Sequence, residues 1–163
     1  GGAPDSPTTR YHIQTLDLSL NVPFTIRSVP MRYLNHVRGQ YTRDRLFVSE
    51  QFGIGNRYTV RGFDGEQTLL AERGWYIRNE IGIPLFQSRH ELYVGVDHGE
   101  VSGPSAGMLP GRGLTGSVIG LRGSFSGAFE GLSYDAFTGW ALFKPDRFQT
   151  EAPATGVQVT YQF

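Results

Sequence analysis

The chain has 163 residues, enough for one domain of ordinary size, with 15 basic and 15 acidic residues. The balanced charge gives no reason to propose a nucleic-acid partner, and the absence of cysteine closes disulfide, thiol-nucleophile and cysteine–metal chemistry. Lys144 is the only lysine, and the many scattered arginines suit fixed ion pairs better than a solvated basic patch.

No apolar run is long enough for a transmembrane helix. Gly1-Gly2-Ala3-Pro4 is not a basic region before an apolar core, so no signal peptide is expected. Mean hydropathy is −0.29, but a membrane β-barrel alternates polar and apolar residues and hides its hydrophobicity from averages. With 22 glycines, 13% aromatics and few amphipathic helical runs, the composition reads as all-β.

Period-two alternation recurs about seven times. Leu16, Leu18, Leu20 and Val22 oppose Asp17, Ser19 and Asn21, while Tyr11 and Ile13 are in the other phase, which predicts a bulge near Gln14. Met31–Arg45 is a weaker strand. A long glycine- and charge-rich loop runs through residues 46–74. Next, Trp75, Ile77, Ile81, Ile83 and Leu85 oppose Tyr76, Arg78, Glu80 and Gly82. The pattern is clearest where Leu92, Val94 and Val96 oppose Glu91, Tyr93, Gly95 and Asp97. Leu114–Phe125 is weak. Leu132, Tyr134, Ala136, Trp140 and Leu142 then oppose Ser133, Asp135, Phe137 and Gly139. The last strand carries Val157, Val159, Tyr161 and Phe163 with Gln158, Thr160 and Gln162 between.

The connections alternate in length. Pro23–Pro30, Pro84–Arg89 and Gly123–Gly131 are short; Leu46–Gly74, His98–Gly113 and Phe143–Gly156 are long. Outer-membrane barrels pair short periplasmic turns with longer external loops. Soluble sandwiches also have uneven loops, so the alternation supports a barrel without proving one. Tyr11, Tyr33, Tyr41, Trp75, Tyr134 and Trp140 are candidates for interfacial aromatic girdles, or else ordinary core aromatics.

Val60-Arg61-Gly62-Phe63-Asp64-Gly65-Glu66 suits a docking tip. Its glycines admit backbone angles that other residues avoid, and the Arg61 guanidinium can bond a carboxylate through two parallel donors. Asp97 falls on the polar phase of its strand, where a carboxylate needs a partner; Glu91 and Glu80 are rivals. Arg78, Glu80 and Glu91 share the polar phases and would form a ladder of lumen charges, or else surface pairs of small value.

Other motifs carry less. Gly111-Arg112-Gly113-Leu114-Thr115-Gly116 matches G-x-G-x-x-G without the βαβ setting that phosphate binding needs. His12, His36, His90 and His98 lack metal-ligand spacing. No G-x-S-x-G elbow exists, and nothing gives Ser88 or Ser133 a catalytic geometry. No enzyme activity, metal or cofactor is expected.

With Ile54–Thr59 and Gln67–Tyr76 around it, the Val60–Glu66 motif resembles the lid loop of TpsB two-partner secretion transporters, the hemolysin activator and filamentous hemagglutinin transporter type. The wider superfamily, with the BamA assembly proteins, shares the Val-Arg-Gly-aromatic core. The resemblance covers residues 10–163 and is most specific over residues 49–84. It implies an antiparallel transmembrane β-barrel in the bacterial outer membrane, of which this chain is the C-terminal portion, about seven strands of roughly sixteen. Periplasmic POTRA domains and a plug helix are not visible in the sequence. It also implies a loop folded into the lumen, with Arg61 meeting an acidic wall group. The implied function is ATP-independent secretion of a large TpsA-type exoprotein. Outer-membrane lipid and, during biogenesis, the barrel-assembly machinery are the other implied partners. The last strand, Val157, Val159, Tyr161 and Phe163, resembles the assembly signal of such barrels; the other reading is the edge strand of a soluble sandwich. The alternatives to secretion are a BamA-like insertion factor and a passive barrel.

Overall fold

The computed structural model describes Pro7 and residues 9–85 and 89–163. Seven strands form one antiparallel sheet in chain order: Gln14–Ile26 (β1), Val29–Tyr41 (β2), Arg73–Leu85 (β5), His90–Ser102 (β6), Gly113–Ser124 (β7), Leu132–Phe143 (β8) and Ala154–Tyr161 (β9). A small ribbon of Phe52–Ile54 (β3) and Leu69–Ala71 (β4) lies within the β2–β5 connection.

The two faces follow from the alternation. Leu16, Leu18, Leu20, Ile81, Val94, Val96, Ile119, Val157 and Val159 lie on one face and are exposed. A continuous apolar face of this size would aggregate in water and is matched by lipid. The opposite face carries Asp17, His36, Arg78, Glu80, Asp97, Arg122 and Asp135, brought level by the register. It is the inner wall.

The hydrophobic core lies not between two layers of sheet but between this inner wall and the loops. Phe52, Ile54, Val60, Phe63, Leu69 and Ala71 of the β2–β5 loop pack with Tyr76, Val101 and Leu114 of the wall. Ala106 of the β6–β7 loop and Phe148 of the β8–β9 loop join them. Fully burying each large apolar side chain contributes roughly 1.5–3 kcal/mol, which holds the three loops together as one body.

Several sequence expectations are corrected. β1 begins at Gln14 and pairs with β2 without a break, so Tyr11 and Ile13 precede the strand and no bulge lies there. The register shift falls instead between Thr115 and Gly116. Pro23 and Pro30 lie inside β1 and β2, and the turn is only Arg27 and Ser28, both at positive φ. Proline fits where its nitrogen faces a sheet edge or the end of a ladder. β2 stops at Tyr41, and Arg73 and Gly74 already pair with Ser102 and Val101, so the long loop is residues 42–72. Tyr33 lies on the outward phase four residues into β2, its hydroxyl donating to Asn79 Oδ1 at 2.5 Å.

Residues 42–72, 103–112 and 144–153 connect strands at one end of the sheet, which the loop-length rule makes the external end. Trp75 and Trp140 mark its level. The ladder row of Trp140 passes through Ser117 and Val96 to Asn79, four residues along β5 from Trp75. Four residues span about 13 Å of strand and three strand spacings about 14 Å. The two indoles therefore share one height if the strands tilt by about 42°, within the range of membrane barrels.

Candidate functional site

The loop tip rests in a groove paved with glycine. A Cβ on Gly116 would collide with the Arg61 carbonyl oxygen. One on Gly139 would lie 3.0 Å from Gly62 Cα, and one on Gly99 2.9 Å from Val60 Cγ2. Gly62 itself sits at φ +104° with the Trp140 carbonyl against it, so neither its backbone angle nor its space admits a side chain. The wall comes close enough for the tip's backbone to touch it, and the Arg61 side chain then reaches the strand carboxylates.

Arg61 is bound on both sides. Its Nε donates to Asp97 Oδ2 at 2.6 Å and its Nη2 to Asp97 Oδ1 at 2.8 Å. Its backbone N–H also donates to Asp97 Oδ2, at 3.0 Å, and Nη1 donates to Glu80 Oε1 at 2.6 Å. Arg61, Glu80 and Asp97 are all buried, Asp97 completely. Burial alone would weaken the hold of Arg61 on its proton; the hydrogen bonds and charges of Asp97 and Glu80 outweigh that and raise its pKa. The sequence set Glu80 and Asp97 as rivals for this arginine; the fork has room for both.

The charge pairing continues along the wall. Arg122 Nη2 donates to the second Glu80 oxygen and to Glu91 Oε1, and Arg122 Nε to Glu91 Oε1 at 2.9 Å. Arg32 closes the row on Glu91 with two bonds of 2.6 and 2.7 Å. Asp97, Arg61, Glu80, Arg122, Glu91 and Arg32 thus alternate in sign. Glu91 does not touch Arg61. Arg78 lies beside the row, its Nε 3.9 Å from Asp97 and its Nη1 donating to the Tyr58 carbonyl at 3.0 Å. Tyr93 donates to Asp135 at 2.6 Å, with the Arg122 guanidinium over its ring. Every carboxylate of the row is committed to arginine, which suits a rigid clamp rather than proton transfer.

Other loop residues hold the tip in place. Asp64 accepts from the backbone N–H of Glu151 at 2.6 Å, and its own N–H donates to Thr150 Oγ1 at 3.0 Å. Phe63 meets Phe148 edge-on at 5.6 Å. Gly65 and Glu66 form the exposed turn beyond the tip, where the Glu66 N–H donates to Asp64 Oδ1. Glu72 is fully buried and accepts from Ser105 N–H and Oγ, both at 2.8 Å, and from Leu46 N–H at 3.3 Å, tying the loop to the β6–β7 loop. Val157, Val159 and Tyr161 lie exposed on the outer face, and Phe163 projects beyond β9. Ser133 donates to the Thr160 carbonyl at 3.4 Å, and Ser88 lies outside the described residues.

Arg122, Arg32 and the glycine groove were not singled out from the sequence. Arg122 follows Gly116, Val118 and Gly120 on its face. A row that small carries no visible phase, although the spacing of its glycines was a usable signal.

The sequence profile of the family "Haemolysin secretion/activation protein ShlB/FhaC/HecB" matches residues 1–123. The chain belongs to this family. It is 42% identical over 161 residues to the outer membrane transporter CdiB-2 of Burkholderia pseudomallei, covering 99% of this chain and 28% of that protein. Among solved structures it resembles CdiB from Acinetobacter baumannii at TM-score 0.84 and 36% identity, over 94% of this chain and 27% of that one. CdiB from Escherichia coli matches at TM-score 0.82 and 25% identity, over 99% and 29%. The chain thus spans less than a third of the length of these relatives. Like its ShlB/FhaC/HecB relatives it is an outer-membrane β-barrel protein, here as an open run of seven strands.

Proposed function

We propose that this chain forms part of the wall and lid of a pore through which a secreted exoprotein partner crosses the outer membrane without ATP. The β2–β5 loop lies inside that pore and Arg61 fixes it there. The observation that carries the reading is the buried Arg61, held by Asp97 and Glu80 on adjacent strands. An arginine buried this way is costly unless both carboxylates are in place. The polar, charge-paired wall offers hydrogen bonds to an extended chain without an apolar trap, and folding of the exoprotein outside supplies the drive. The outward row Val157, Val159, Tyr161 and Phe163 serves recognition by the barrel-assembly machinery, before lipid covers it.

The test uses the full-length protein in cells with its exoprotein. Asp97→Asn combined with Glu80→Gln keeps shape and removes both negative charges. The exoprotein should stay in the periplasm while folded barrel remains at wild-type level. Normal secretion by this variant contradicts the proposal.

A further inference from the structure

The external rim carries a feature that the loop clamp does not use. A cleft of about 600 Å³ opens there, lined by Tyr41, Arg73, Trp75, Glu100 and Arg112 among others. Trp75, Tyr41 and Arg73 all stand on the lipid-facing side of the sheet, since β5 residues 73, 75 and 77 share that phase and Tyr41 continues the outward row of β2. Arg73 lies two residues, about 7 Å of strand, beyond Trp75 toward the outside. That is the level of headgroups if the tryptophans mark the edge of the hydrocarbon.

Arg73 engages the Tyr41 side chain rather than a carboxylate. Neither Arg73 nor Arg112 takes part in an ion pair among the described residues. The Arg73 guanidinium stands 5.9 Å from the centre of the Tyr41 ring, and its Nε is buried with no hydrogen-bond partner. This contrasts with Arg32, Arg61 and Arg122 on the inner wall, each bonded to carboxylate. The single carboxylate lining the cleft, Glu100, is itself 3.2 Å from His98 Nε2. Two arginines share this cleft with one carboxylate, Glu100, that neither of them bonds. At the boundary of a membrane and beside aromatic side chains, that surplus of positive charge suits an anion of planar or tetrahedral oxygens.

We infer that this rim cleft binds a phosphorylated lipid headgroup of the outer leaflet, with Arg73 and Arg112 gripping the phosphate and Tyr41 and Trp75 seating the lipid beneath it. The site lies on the face opposite the Arg61 clamp. Its occupant is the membrane itself rather than the transported chain.

The experiment measures binding of lipid A to the detergent-purified full-length protein, beside the same lipid after phosphatase treatment and beside inorganic phosphate as competitor. Wild type should bind lipid A at least about tenfold more tightly than an Arg73→Gln/Arg112→Gln variant, and the dephosphorylated lipid should bind no better to wild type than to the variant. Arg112 is exposed in a loop, so Arg112→Gln alone, expected to lose affinity about threefold or more, covers the case in which the double variant does not fold. If inorganic phosphate displaces the lipid at equal concentration, the phosphate site stands but its source is free phosphate. Equal affinity of wild type and Arg112→Gln for lipid A, or of wild type for the two lipids, overturns the inference.

Discussion

Arg61 and Asp97, 36 positions apart, share three hydrogen bonds, one from the arginine backbone and two from its side chain. The backbone bond fixes where the tip lies and the side-chain pair fixes that the residue is arginine. Removing one partner of such a buried pair leaves an uncompensated charge, at a cost of roughly 3–5 kcal/mol. Asp97→Asn should therefore expose the loop to trypsin, with faster cleavage after Arg57, while the strands stay protected. Cleavage at the wild-type rate would mean the loop is held without this pair.

The groove makes a prediction that involves no charge. Gly116→Ala places a methyl group where the Arg61 carbonyl oxygen stands. It should release the tip as Asp97→Asn does, although every ion-pairing residue is intact. Gly107→Ala, with nothing within 4 Å of the added carbon, serves as the control. Equal hydrogen exchange of residues 57–66 in the two variants would reject the groove as a positioning element.

Acid should loosen the same loop at a second anchor. Burial alone would raise the Glu72 pKa, but bonds from Ser105 and from the Leu46 N–H outweigh it and hold the carboxyl below its ordinary value. Asp64 is shifted the same way by the Glu151 and Glu66 N–H groups, again against its own desolvation. A depressed carboxyl stabilises the docked loop above its unfolded pKa, about 4, and that contribution fades as pH falls through the folded value. Protease protection of the loop should hold at neutral pH and decline below about pH 4. Glu72→Gln should flatten that decline, and an unchanged acid profile in Glu72→Gln would remove Glu72 as the cause.

Val94 points outward in the middle of β6 and is 41% exposed. A charge at the midplane of a lipid face costs roughly 2–4 kcal/mol. Val94→Arg should lower the yield of folded barrel in the membrane, whereas Thr160→Arg, on the inner face of β9, should not. Equal yields would reverse the assignment of the two faces.

How much of this was legible depended on the size of the side chains on each face. Leu92, Val94 and Val96 made the phase of β6 plain, and that phase put Asp97 inward. Arg122 was illegible because Gly116 and Gly120 leave the inner row of β7 nearly blank. Tyr11 and Ile13 suggested a bulge because their alternation was read as strand; the strand starts after them. Glu72 finds its donors at Leu46 and Ser105, 26 and 33 residues away, a pairing that no local pattern encodes. The short turn was displaced by a prior against proline in strands, which the sheet's margin relaxes.

The central claim is that Arg61 holds a lid loop needed for transport and not for assembly. The most direct measurement is exoprotein secretion by the full-length protein carrying Arg61→Ala or Arg61→Lys, with folded barrel quantified in the same cells. The account predicts wild-type barrel levels in both, loss of secretion in Arg61→Ala, and partial secretion in Arg61→Lys, because a point charge cannot reproduce the planar fork. Full secretion by Arg61→Ala, or loss of the barrel in step with loss of secretion, would contradict it.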